Sequence, residues 1–301
     1  MIELGGFVDA HVHLATDGAL LGVQIADLRL QGVVAAVDAG TCGAVDFDAA
    51  ARAWRGEMSC RVFANVVPTG LRGEKSSWAD PPDDPLAALK GLRPDGVKVR
   101  LGESPQRDDL LDLMNSRRAA EALGVPLMVH VTNARIEPAI LIDALRSGDV
   151  LTHCFTRSRG AGTFSVVDDA GKVVAAAWTA RERGVAFDVG ASLRHFAPEV
   201  AQAAIRQGFH PTFISSDATS WAFVRRLVPD APEPLTIAAV ARILVEAGLP
   251  LDRALAATGE APARFFGFAV PAPAADDHVA LDERFRVHRV VRAGRVLYEA
   301  A

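Results

Sequence analysis

Cysteine, tyrosine and long apolar runs are all scarce in this chain of 301 residues. Its three cysteines form no Cys-x-x-Cys pair and are too few for a disulfide framework, so we expect reduced thiols and a cytoplasmic protein. No run approaches the roughly 18 apolar residues that cross a bilayer, and the basic segment of a secretory signal is missing. The net charge is −5, without a basic block. We therefore expect neither a membrane nor a nucleic acid as partner.

Short apolar runs, separated by helix-like segments, recur eight times along the chain. Runs of this length predict strands that are buried on both faces, as in a parallel sheet. Eight such strands predict an α/β fold, a (β/α)8 TIM barrel over residues 1–269, with a doubly wound sheet as the alternative. A Gly-rich phosphate loop, which would favour that alternative, is missing. The runs are residues 6–13, 32–40, 60–68, 96–101, 126–132, 149–155, 184–190 and 211–217.

Beyond the barrel pattern, the sequence predicts a small C-terminal unit over residues 270–301. Residues 270–275 have the composition of a linker, and alternating residues on either side of Ala293-Gly294 predict a β-hairpin. A hairpin is too small to fold alone, so it must pack on the barrel or on a partner subunit. We expect a homo-oligomer. Within the barrel, the helical segment 108–123 is predicted to bury Leu110, Leu111, Met114 and Ala119.

Polar side chains lie toward the C-terminal ends of five predicted strands, where a barrel places its active site. His11 and His13 share one strand face because strand side chains alternate. A lysine inside a buried strand, Lys98, is costly unless it is paired or neutralised. Imidazoles and carboxylates that converge on one barrel mouth predict a metal site. The set is His11, His13, Lys98, His130, His153 and Asp217.

This pattern resembles the amidohydrolase superfamily over nearly the whole chain, and most closely its deacetylase-type metallohydrolases. The stretches 95–101, 148–155, 184–190 and 208–217 carry the resemblance together with His11-Val12-His13. The resemblance implies that His11, His13 and Asp217 hold a first metal ion and that His130 and His153 hold a second. It further implies that Lys98 bridges the two ions as a carbamate. Imidazole and carboxylate ligands favour two Zn²⁺ ions, with Mn²⁺ or Fe²⁺ as alternatives.

The implied reaction is hydrolysis of an amide or ester bond in a small N-acyl or O-acyl carboxylic acid, by metal-activated hydroxide. Asp217 is the expected general base and then acid. Arg100 lies two residues after Lys98 and faces the same way, so it is the first candidate to bind a substrate carboxylate. Asn133 and Arg157 are further candidates for substrate contacts. The alternatives are a cyclic amide hydrolase of the dihydroorotase or hydantoinase kind, and a non-catalytic barrel of this superfamily.

The chain departs from the family pattern at three places. Ala15 occupies the position at which dihydroorotases usually have an arginine, which argues against cyclic ureides. Ala191-Ser192 follow the seventh strand, where relatives often have His and Gly, so we expect an altered substrate contact there. Relatives usually begin with a longer strand-rich segment that forms a small sandwich with the C-terminal strands. Here only Met1–Gly5 precede the first strand, and we expect the hairpin to be a sandwich remnant with an exposed edge.

Overall fold

The computed structural model describes residues 1–16, 21–72, 80–102, 106–131, 134–157, 164–192, 195–220 and 236–300. Its strands are β1 (Ile2–Leu4), β2 (Phe7–Val12), β3 (Val33–Asp38), β4 (Ser59–Asn65), β5 (Gly96–Leu101), β6 (Leu127–Val131), β7 (Val150–Thr152), β8 (Ala186–Phe187), β9 (His278–Leu281), β10 (Val287–Arg292) and β11 (Arg295–Glu299). Its helices are α1 (Ile25–Leu30), α2 (Phe47–Glu57), α3 (Pro85–Ala88), α4 (Asp109–Leu123), α5 (Pro138–Asp143), α6 (Ala175–Glu182), α7 (Pro198–Arg206), α8 (Ile237–Glu246), α9 (Leu251–Ala257) and α10 (Glu260–Phe266).

A parallel sheet of seven strands, β2 to β8 in sequence order, forms the larger part of the fold. These strands lie within or near the first seven predicted runs, and the short helices fall between them. The α/β class and the parallel sheet are thereby confirmed. Parallel neighbours bring the carboxyl ends of β2, β5, β6 and β7 to one edge of the sheet, which is where the polar side chains singled out from the sequence lie.

The eighth predicted strand, residues 211–217, is not a regular strand. Phe213 forms an isolated parallel bridge with Asp188, just after β8, and Ala218 forms another with Val12 of β2. The amide of Val189 donates to the carbonyl of Phe213 (3.2 Å), and the amide of His13 donates to Ala218 (2.9 Å). The segment therefore lies between the two ends of the curled sheet and carries Asp217 toward β2.

The C-terminal strands belong to a second sheet that is larger than the predicted hairpin. Its four antiparallel strands have the order β1-β9-β10-β11, and β1 pairs with β9 through Ile2 and Leu281. Val279 and Leu281 share one apolar cluster with Phe7 of β2. The Arg292 guanidinium donates to the carbonyl of Gly32 (2.9 Å). The small sheet is thus packed directly on the parallel-sheet unit through both apolar and polar contacts.

The predicted buried face of α4 is largely wrong. Leu110, Leu111 and Met114 are 38%, 50% and 37% exposed, although Ala119 is fully buried as predicted. The buried face of α4 instead includes acidic residues, of which Asp109 has hydrogen-bond partners in the loops after β5 and β6. Asp109 accepts the amide of Gly102 (2.7 Å), and its other oxygen accepts the amide of Arg135 (2.7 Å). Hydrogen bonds to loop backbone set the helix rotation more strongly than the apolar spacing.

No helix in the described ranges combines the length and the apolar character that a membrane span requires.

Candidate metal centre

Two histidines and one carboxylate meet at the carboxyl end of β2. One oxygen of Asp217 lies 3.3 Å from Nε2 of His11 and 3.4 Å from Nε2 of His13. The three side chains are buried, and one ligand atom of each lies within 4.8 Å of the others. Two imidazoles and a carboxylate around one point match the donor set of a catalytic Zn²⁺ site. These residues could hold a divalent metal ion.

The opposite ring nitrogen of each histidine is held by a hydrogen bond, and this fixes its orientation. Nδ1 of His11 lies 2.9 Å from the Thr152 hydroxyl and 3.3 Å from the Asp188 carboxylate. Nδ1 of His13 lies 3.0 Å from the Thr41 hydroxyl. With a proton on Nδ1, the lone pair of Nε2 points at the shared centre. Metal-binding histidines in proteins are commonly oriented in this way.

A second group of side chains adjoins the first. The ring centroids of His11 and His153 are 4.9 Å apart, and those of His130 and His153 are 4.4 Å apart. Nδ1 of His153 lies 2.7 Å from the Gly190 carbonyl, which it contacts as a donor. Nζ of Lys98 lies 3.5 Å from Nε2 of His11. The six side chains predicted from the sequence therefore occupy one continuous region.

Backbone strain marks two of these residues. His153 has φ 62° and Asp217 has φ 49°, in the left-handed region that residues other than glycine rarely adopt. Gly190, with φ 52°, packs against His153 so closely that an added Cβ would lie 2.7 Å from its Nδ1. Strained backbone of this kind is typical of functional sites, where the surrounding structure imposes a side-chain direction that relaxed backbone would not give.

Burial determines the charge of the site in the absence of an ion. It lowers the pKa of Lys98 to about 7 and that of His11 to about 4, and it holds the pKa values of His130 and His153 well below the ordinary range. Burial alone would raise the pKa of Asp217, but the neighbouring imidazoles hold it well below its usual value. Neutral imidazoles and an ionised carboxylate are the protonation states that metal ligands need.

The three candidates for substrate contacts have different positions. Arg100 is half-buried on β5, opposite His130 in the strand register, and its charge lowers the pKa values of Lys98 and His130 further. Asn133 lies outside the described residues. The Arg157 side chain is 69% exposed and forms an ion pair with Glu199 at the start of α7.

Four residues that surround the site were not predicted from the sequence. Asp188 and Thr152 lie in stretches that carried the family resemblance. A carboxylate or a hydroxyl at a strand end is common, however, so the sequence did not predict that these two side chains contact His11. Thr41 contacts His13 from a loop after β3. His195 brings its ring to 5.0 Å from the ring of His130 and 4.7 Å from that of His153. It follows β8 in an irregular segment, where side-chain direction does not follow from sequence spacing.

Comparison with known proteins gives two kinds of similarity, and no family model matches the chain. A deacetylase of Enterococcus faecalis is 29% identical over 237 residues, which cover 70% of this chain and 59% of that protein. A deacetylase of Brucella anthropi is 28% identical over 225 residues, which cover 70% of this chain and 55% of that protein. The chain thus spans little more than half the length of the curated relatives that it matches.

Solved structures share the fold over almost the whole chain. An adenine deaminase superposes with a TM-score of 0.76 at 22% identity, covering 99% of this chain and 87% of that one. A dihydroorotase superposes with a TM-score of 0.72, also at 22% identity, covering 98% and 84%. At this level of identity the structural likeness concerns the fold.

Proposed function

We propose that the chain is a member of the amidohydrolase superfamily and a binuclear metal-dependent hydrolase that removes the acyl group from a small N-acyl or O-acyl carboxylic acid. The observation that carries the proposal is the oriented donor set: Nδ1 of His11 and of His13 is hydrogen-bonded, so both Nε2 atoms face Asp217. The curated relatives named deacetylase, which the chain resembles over 70% of its length, support the reaction class.

We propose His11, His13 and Asp217 as ligands of one ion, His130 and His153 as ligands of a second, and a carboxylated Lys98 between them. The lowered pKa of Lys98 supports this role, because only the neutral amine reacts with CO₂. Zn²⁺ is the ion that the donor set favours, with Mn²⁺ or Fe²⁺ as alternatives. Two such ions, when bound, would supply hydroxide at neutral pH and polarise the acyl carbonyl.

Asp217 is proposed to move the proton. Its pKa is held low, so it is ionised and can accept a proton from the attacking water. The same proton is then passed to the nitrogen or oxygen that leaves with the rest of the substrate. Arg100, half-buried beside His130, is proposed to bind the substrate carboxylate, for which a guanidinium is well suited. Asn133 and Arg157 are weaker candidates for the same task.

The proposal also includes two details of the fold, the eighth strand and the origin of the C-terminal sheet. We propose that residues 211–217 are the eighth strand of a (β/α)8 barrel, supported by the parallel bridges of this segment to both neighbours. The small C-terminal sheet is proposed to be what remains of the family's β-sandwich. The unit boundary at residues 269 and 270 and the homo-oligomer stay predictions. A cytoplasmic location is proposed because the cysteines Cys42, Cys60 and Cys154 are free and buried.

A hydrolysis screen tests the function. The protein is loaded with Zn²⁺ in bicarbonate buffer and offered N-acetyl amino acids and O-acetyl hydroxy acids, with dihydroorotate and hydantoins as the competing class. We expect acyl substrates to be hydrolysed, and Asp217→Asn to lower kcat by at least ~10²-fold, because a positioned general base contributes that much. The buried Asp149, which precedes β7 and accepts the amide of Leu127 (2.9 Å) at the amino end of β6, provides the control Asp149→Asn.

Full activity of Asp217→Asn would refute the assigned role of this residue. Hydrolysis of cyclic ureides alone would favour the alternative reaction, against which Ala15 argues. Failure of every acyl substrate in the screen would overturn the substrate class.

A further inference from the structure

A third imidazole, that of His195, packs against two of the proposed metal ligands. Its ring centroid lies 5.0 Å from that of His130 and 4.7 Å from that of His153, while those two rings are 4.4 Å apart. His130 and His153 are 2% and 1% exposed, whereas His195 is half-buried. His195 is therefore the more accessible imidazole beside this buried pair of proposed ligands.

The backbone on both sides of His195 is fixed to the barrel. The amide of Ala191 donates to the carbonyl of Ser215 (3.1 Å), and the amide of Ala197 donates to the carbonyl of Phe155 (2.9 Å). The amide of His195 itself donates to the carbonyl of Ser192 (3.2 Å). Helix α7 begins immediately afterwards. A side chain whose segment is attached at both ends keeps a defined position over the site, as a functional contact requires.

The ligand geometry separates His195 from the first metal position. Among the described residues, the group of three whose ligand atoms lie within 4.8 Å of one another consists of His11, His13 and Asp217. His153 adjoins both, since its ring centroid is 4.9 Å from that of His11 and 4.7 Å from that of His195. An acyl group bound next to His153 would lie near both the proton acceptor Asp217 and the His195 ring.

We propose that His195 donates an N–H hydrogen bond to the acyl oxygen of the substrate, which becomes an oxyanion during hydrolysis. This inference rests on the proposed function. It requires only a neutral imidazole, which always carries one N–H. His195 would thus supply a substrate contact four residues after Ala191, near the place where we expect the Ala191-Ser192 departure to alter one.

Water is the one co-reactant that this hydrolysis needs. Water gives one proton to Asp217, and its oxygen forms a bond to the acyl carbon while the carbonyl π electrons move to the acyl oxygen. The His195 N–H stabilises the negative charge on that oxygen. The electron pair then returns, the bond from the acyl carbon to the leaving nitrogen or oxygen breaks, and the proton held by Asp217 goes to the leaving atom. A donor aimed at developing charge lowers the barrier more than it strengthens substrate binding.

The experiment compares His195→Ala and His195→Gln with the wild-type holoenzyme on the best acyl substrate from the screen. We expect His195→Ala to lower kcat by about 10²-fold or more, with KM changed less than about threefold, as for loss of one oxyanion donor. His195→Gln, which keeps an N–H donor, should recover part of the rate. His278→Ala, in the C-terminal sheet, is the matched control, because its Nδ1 contacts only the backbone of Ala274 within the described residues.

A second measurement is independent of turnover. A phosphonate analogue of the acyl substrate imitates the tetrahedral oxyanion, and its affinity for His195→Ala, measured by calorimetry, should fall by about the same factor as kcat/KM. Zinc content should stay that of the wild type. Metal loss in His195→Ala would make His195 a ligand, and a raised KM with unchanged kcat would place its contact elsewhere on the substrate; either result overturns the inference.

The two proposals fail in distinguishable ways. An active wild type with unchanged His195→Ala kinetics refutes the role of His195 alone. A wild type that hydrolyses no acyl substrate and binds no phosphonate refutes the proposed function, and the role of His195 with it.

Discussion

Asp188→Asn is expected to weaken metal binding although Asp188 is not a proposed ligand. Its buried carboxylate accepts the Thr152 hydroxyl (2.7 Å) and the Ser215 hydroxyl (2.6 Å), and it lies 3.3 Å from Nδ1 of His11. The amide that replaces it presents one acceptor oxygen instead of two. The hydrogen bond that keeps the proton of His11 on Nδ1 is then weakened, and the lone pair of Nε2 is no longer held toward Asp217.

The size of the effect follows from the type of contact. Loss of a partner behind a metal-binding histidine typically lowers metal affinity 10–100-fold, which is about 1.4–2.8 kcal/mol of binding free energy. A hydrogen bond to a charged group is worth about 1.5–3 kcal/mol, in the same range. Asp188→Asn should therefore bind Zn²⁺ at least about tenfold more weakly, while folding remains possible because the side-chain volume is unchanged.

The assay is a competitive titration of Zn²⁺ against a chromogenic chelator, with urea unfolding of the metal-free protein measured in parallel. The control Asp149→Asn removes a carboxylate that is equally buried, accepts backbone amides and lies away from the site. Both variants should lose about 1–3 kcal/mol of unfolding free energy. Only Asp188→Asn should lose zinc affinity. Wild-type affinity in Asp188→Asn, or an equal loss in both variants, would refute the orienting role.

Three further outcomes are expected. Thr41→Val should reduce zinc affinity about tenfold through loss of the contact to His13, and Thr41→Ser, which keeps the hydroxyl, should restore it in the same titration. Burial raises the pKa of the Cys60 thiol to about 12. The stability that this thiol contributes is fully present below its ordinary pKa of about 8.5 and is lost as the pH rises toward 12. Urea unfolding at pH 8 and pH 10.5 should therefore show a smaller decline in Cys60→Ala than in the wild type, by about 1.4 kcal/mol per pH unit above about 8.5. Arg157→Ala should change the unfolding free energy by less than about 1 kcal/mol, because the ion pair of Arg157 with Glu199 is exposed. If the KM for acyl substrates rises more than threefold in this variant, that result would instead support Arg157 as a substrate contact.

The α/β class, the parallel sheet and the metal-competent side chains could be read from the sequence. Buried strands leave nearly continuous apolar runs, and a histidine or lysine that interrupts such a run is conspicuous because burial penalises it. The parallel arrangement then requires the ends of these strands to meet at one edge, so separate positions such as His11 and His130 could be assigned to one region. These inferences depend on the types of the residues and on their spacing, both of which are visible in the sequence.

Tertiary structure decided the contacts that orient those side chains. Thr152 reaches His11 from β7 and Asp188 from just after β8, and no local pattern encodes a partner 141 or 177 residues away. The rotation of α4 followed from hydrogen bonds of Asp109 to two loops, which override the apolar spacing that favoured Leu110 and Leu111. His195 lies outside the regular elements, and hydrogen bonds of Ala191 and Ala197 attach the chain on either side of it. Strand periodicity determined where the proposed ligands lie, whereas long-range hydrogen bonds determined which way their side chains point.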